Sequence, residues 1–133
     1  MDRKAGSMDS IVKYWRDSSD KDHLTMHHLL VSKDYHWSLF LGHLVLEKLL
    51  KAIFVKKHNQ HAPFTHDLLR LSEKIEIQLS EEQSEWLDEI STFNLNARYD
   101  NYKQDFYKLC TKDFSTLWIE RIENLRTWLI QQF

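Results

Sequence analysis

The residues best suited to chemistry lie together in Asn94–Lys103, N-L-N-A-R-Y-D-N-Y-K. Arg98 offers a planar fork of donors that matches a phosphate bidentately, and Lys103 adds a compact positive charge. Tyr99 and Tyr102 present rings on which a base can stack. Together the four make a binding surface for a phosphate and a base. A structural reading stands beside this one. Arg98 pairs with Asp22 or Glu47 and fixes helices to one another, a buried pair setting geometry more than adding stability. The tyrosines then pack, with their hydroxyls finding partners, and Asn94 and Asn96 cap or terminate a helix. The candidate ligand-binding set is therefore Arg98, Tyr99, Tyr102 and Lys103, with Asp22 and Glu47 as the acids that could face them.

Other reactive side chains point less clearly to a site. His58, His61, His66 and Asp67 cluster in sequence, but their spacing fits no zinc pattern and no thiolate joins them, so no metal is expected. His27 and His28 are adjacent and cannot share one helix face, which leaves at least one exposed. His43 sits in an apolar run and reads as a satisfied core histidine. Cys110 reads as a small buried hydrophobe. There is no serine–histidine–acid pattern, and two glycines cannot build a phosphate cradle, so no cofactor is expected.

These residues must be positioned by helices. In 133 residues there are only two glycines and one proline, which argues for long helices with short joins and against a sandwich or barrel. The formal net charge of −2 gives no global basic character, so contact with nucleic acid needs a local patch. A single cysteine excludes a disulfide framework and fits a reducing cytoplasm. No signal peptide and no membrane span are visible. Residues 1–8 read as a flexible tail or an appended remnant ahead of a native start at Met8, and residues 9–133 as one helical domain.

Ile11, Trp15, Ser19, Asp22, Met26 and Leu29–Leu30 recur at helical spacing and predict a helix over 9–32. Its stripe is polar in the middle. Small serines there permit close approach, and Asp22 needs a partner if buried. The run from Tyr35 to His58 carries an apolar band broad enough for a central helix with neighbours on several sides, and its terminal Lys56, Lys57 and His58 suit a C-terminus. Glu47 can pair with Lys51 one turn on. Pro63 breaks the chain, and Thr65 is placed to cap a third helix. Ser80 and Gln83 form a capping box for a fourth. Asn94–Lys103 then serves as a connection, followed by a short helical piece and by a last helix led by Thr111 or Asp113. The sum is an all-α, antiparallel up-and-down bundle of four to five helices.

Three segments in this order carry a family resemblance: F-L-G-H-L-V-L-E-K-L-L-K-A-I-F-V (40–55), A-P-F-T-H-D-L-L-R-L (62–71) and N-A-R-Y-D-N-Y (96–102). They resemble the HEPN domain family. Its Glu-Lys-x-x-Lys-Ala run is matched by Glu47, Lys48, Lys51 and Ala52, its Thr-His-Asp-Leu by Thr65–Leu68, its Arg-Tyr by Arg98 and Tyr99, and its first-helix aspartate by Asp22. The resemblance implies a helical homodimer, with many members encoded beside a minimal nucleotidyltransferase in toxin–antitoxin pairs. It also implies, in active members, metal-independent RNA cleavage by an arginine followed a few residues later by a histidine. The histidine serves proton transfer and the arginine the phosphorane charge. Here the positions for that histidine hold Lys103, Gln104 and Asp105, and no histidine follows Tyr102. Three functions stay open: a nucleotide- or RNA-binding regulatory protein with a degenerate motif, a ribonuclease in which Lys103 or an acid (Asp100 or Asp105) replaces the histidine, and a structural scaffold.

Overall fold

The computed structural model describes the backbone of residues 3–133 and the side chains from Met8 onward, Asp100 excepted. The chain forms α1 (Arg3–Val31), α2 (Tyr35–His58), α3 (Leu68–Ile75), α4 (Glu81–Arg98), α5 (Asp100–Leu109) and α6 (Lys112–Ile130). Six helices stand where four to five were expected, because the short piece after Tyr99 and the short segment after the Pro63 loop each form a helix of their own, α5 and α3. The helix expected from residue 9 begins at Arg3, and the first two residues of the expected tail lie outside the described ones.

α2 is the hub, packing against α1, α3, α4, α5 and α6. Its broad apolar band explains this, since Leu39, Leu46, Leu49, Leu50 and Ile53 all lie in one core with Met26, Phe93, Ile122 and Leu125. α1 and α2 form an antiparallel hairpin. The Ser38 hydroxyl donates to the Met26 carbonyl at 2.8 Å and, further along, the Ser19 hydroxyl donates to the Val45 carbonyl at 2.8 Å. The polar middle of α1 is thus a close-approach seam, as its small serines suggest. Gly42 keeps a second seam tight: a Cβ there would lie 2.5 Å from Ile122 Cδ1 and 3.3 Å from Met26 Sδ.

Helix ends follow local chemistry. Ser80 and Gln83 form the reciprocal capping box of α4, and Thr111 caps α6 by accepting from Phe114 N at 3.2 Å. The cap of α3 is Asp67, which accepts from Arg70 N, and not Thr65, whose hydroxyl accepts from Asp67 N at 3.1 Å instead. Asn59 and Glu76 close α2 and α3 in the left-handed conformation. On the far side, Phe93, Phe106 and Trp118 stack with centroids 5.4 and 5.5 Å apart, joining α4, α5 and α6. Cys110 is buried against them, and burial pushes its thiol up to about 12, so it remains an inert thiol. Among the described residues no helix is long and apolar enough to cross a membrane.

Candidate functional site

The site is built around the break at Tyr99. Its backbone is extended (φ −101°, ψ 131°), its N–H closes α4 on Leu95 O, and its carbonyl accepts from Tyr102 N and Lys103 N at 3.0 and 2.9 Å to open α5. One residue therefore ends one helix and starts the next. Asn94–Arg98, expected as a connection, is the last part of α4. Asn94 does not cap the helix: it is buried within α4, and its carbonyl accepts from Arg98 Nε at 3.2 Å.

This break places Arg98 and Lys103 on either side of a corner, over the N-terminal half of α2. The Arg98 guanidinium lies 5.9 Å from the Phe40 ring centroid and 5.6 Å from that of Tyr99. Lys103 Nζ lies 5.3 Å from the Trp37 centroid, and Trp37 meets Phe40 edge to face at 5.9 Å. A pair of aromatic rings on α2 thus carries a cation at each end. Among the described residues no carboxylate reaches Arg98 within ion-pair distance. Arg98 is exposed, as are Tyr99 and Tyr102.

A histidine joins this corner from α2. The His36 ring stands 4.9 Å from Trp37 and 5.1 Å from Tyr107, and with Lys103, Gln104, Tyr107 and Lys108 it lines a hollow of about 450 Å³. Burial lowers its pKa and the Lys103 charge lowers it further, against a smaller upward pull from Asp34, so the imidazole is neutral near pH 7. His36, Trp37, Phe40 and Tyr107 are the members that sequence reasoning missed. Trp37 and Phe40 read there only as part of a core band.

Asp22 and Glu47 are not at this corner. Asp22 Oδ2 sits 2.6 Å from Lys48 Nζ, which also donates to the Ser18 hydroxyl at 2.7 Å. Glu47 is buried, with Lys51 at 3.2 Å and His66 at 2.7 Å. The expected pairing of Arg98 with either acid is therefore replaced by two lysine pairs, one tying α2 to α1 and one within α2. Lys51 in turn lies over Trp15 at 5.2 Å. His43 is fully buried and its Nε2–H donates to the His66 carbonyl at 2.8 Å. Desolvation lowers its pKa, outweighing the His66 carbonyl and Glu47. Thr65–Leu68 thus serves the fold: His66 docks on Glu47, Asp67 caps α3 and Leu68 enters the core.

The loop histidines do not converge on a metal. His58 contacts the Lys74 carbonyl and His66 contacts Glu47, while among the described residues the group with ligand geometry is His23, His27 and Glu123.

Compared with known proteins, the chain matches the family model described as HEPN domain over residues 12–132, nearly its whole length. No curated protein and no solved structure matches it.

Proposed function

The chain belongs to the HEPN domain family, and we propose that it is a dimeric nucleotide- or RNA-binding regulatory protein whose ribonuclease motif is degenerate. Its setting is a toxin–antitoxin type pair with a nucleotidyltransferase. The observation that carries the binding role is the Arg98 guanidinium, held by rings and a backbone carbonyl and met by no carboxylate among the described residues. Arg98 is exposed and stands over Phe40 and Tyr99, which leaves its guanidinium available to a phosphate oxygen. Tyr99 and Tyr102 are exposed for a base, and Lys103 extends the positive edge. The overall charge of −2 makes such binding local and salt-sensitive. Exposed Leu95, Tyr107 and Leu109 on the same segment support a second copy docking here, which would set two such corners in one cleft. Titration of labelled single-stranded RNA with wild type and Arg98→Ala tests the binding role.

A second reading, RNA cleavage, is favoured by one observation. His36 supplies a neutral imidazole beside Lys103, where the sequence offers only a lysine or an acid. A neutral imidazole can take the proton of a 2′-hydroxyl, whereas a lysine at its usual pKa cannot do so readily. Incubation with RNA in chelator distinguishes the two. Cleavage that vanishes in His36→Ala while RNA binding persists supports the nuclease, and no cleavage by wild type supports the binding protein.

A further inference from the structure

His23 and His27 are one helical turn apart on α1, so their rings share a face, and they meet edge to face at 4.8 Å. Glu123 reaches them from α6, about as far along the chain as the fold allows. Its Oε1 lies 2.5 Å from His23 Nε2 and 3.5 Å from His27 Nε2, and one donor atom from each of the three falls within 4.8 Å of the others. All three side chains are partly buried, at 20%, 43% and 36% exposure for His23, His27 and Glu123, so the cluster is held in place yet open to solvent on one side.

We propose that His23, His27 and Glu123 bind one divalent transition-metal ion of the zinc type, clasping α1 to α6. Two imidazoles and one carboxylate are borderline donors that suit zinc and its neighbours and not calcium or magnesium, which prefer oxygen sets. Bonds of about 2.0–2.1 Å in a tetrahedron place neighbouring ligand atoms roughly 3.3 Å apart. The His27–Glu123 distance of 3.5 Å already meets this value. The His23–Glu123 pair, now at hydrogen-bond length, has to open by only about 1 Å, within the reach of two side-chain rotations. Three protein ligands leave a fourth position for water. Elsewhere α1 and α6 are joined by Asp20 and Arg126 at 3.3 Å, so a metal would add a second, stronger tie along the same seam.

The bland reading of the same cluster is a hydrogen-bonded histidine–glutamate pair with a second histidine nearby. Two properties separate it from a metal site: stoichiometry and dependence on His27. His27 is the informative position, because it is the most exposed of the three and stands beyond hydrogen-bond length from Glu123, so its loss leaves the metal-free fold nearly unchanged. The full-length chain, first dialysed against chelator, is titrated with zinc chloride while its melting temperature and bound zinc are measured. One zinc per chain is expected, with a rise in Tm that saturates. His27→Ala and Glu123→Gln should each weaken uptake at least about tenfold, while a His58→Ala/His61→Ala double variant should bind as wild type does. Cobalt(II) should give the visible absorption of a tetrahedral site in wild type alone. Absence of a stoichiometric zinc, or the same Tm rise in wild type and His27→Ala, would overturn the proposal.

Discussion

His66 Nδ1 donates to Glu47 Oε1 at 2.7 Å, fastening the turn before α3 to the middle of α2. The same carboxylate holds Lys51 through its other oxygen at 3.2 Å. Residues that resemble a functional motif in sequence are in this protein the means by which two segments are locked together. The removal of one charge makes the test. Glu47→Gln leaves the buried Lys51 ammonium without a counter-charge, and breaking a buried pair in this way costs about 3 kcal/mol. Urea denaturation should show that loss, with RNA binding retained under native conditions. An unchanged midpoint would show that the pair does not hold the turn.

Acid should weaken the fold through His43. Desolvation lowers its folded pKa below its ordinary value of about 6.5. Between the two values the unfolded chain binds the proton and the folded one does not, so stability rises with pH there and is lost as pH falls below about 6.5. His36 is shifted in the same direction and contributes with the same sign. The urea midpoint should be lower at about pH 5.5 than at about pH 7.5, and the difference should shrink in His43→Gln. Equal midpoints at the two pH values would contradict the assignment.

Self-association should depend on the exposed end of α4 and on α5. Sedimentation should give wild type twice the 16.1 kDa chain mass. Leu95→Glu and Leu109→Glu, both at exposed positions, should shift it to monomer without lowering helical content. A wild-type monomer at tens of micromolar would remove the dimer from the account.

Much of this architecture is legible in the sequence because it is local. The bounds of α2 and the Ser80–Gln83 box follow from nearest-neighbour chemistry, and the Lys51–Glu47 pair from helical spacing. Where two local solutions compete, sequence does not choose between them. Thr65 reads as the cap of the third helix, but Asp67 takes that place and Leu68 after it enters the core. The break at Tyr99 falls inside the expected connection Asn94–Lys103, but helix runs up to Arg98 and resumes at Asp100, so the connection narrows to one residue. Arg98 and Lys103 stand out by type, but their supports, Phe40 and Trp37, come from a helix far earlier in the chain. Such pairings are set by how α4 and α5 lie across α2, which no spacing along the chain encodes. His23 and Glu123 meet for the same reason, across 100 positions.

The central claim is that Arg98 and Lys103 are free to take phosphates. Fluorescence anisotropy of a labelled single-stranded RNA, measured across a salt series, tests it most directly. Wild type should bind, and Arg98→Ala and Lys103→Ala should each weaken binding about tenfold and reduce the log–log salt slope by roughly 0.7, the share of one phosphate contact. Thermal stability should hold in both variants, since among the described residues Arg98 is tied to the rings of Phe40 and Tyr99 and the Asn94 carbonyl, Lys103 stands over the Trp37 ring, and neither is in an ion pair. No binding by wild type, or variants that keep its affinity and salt slope, would contradict the claim.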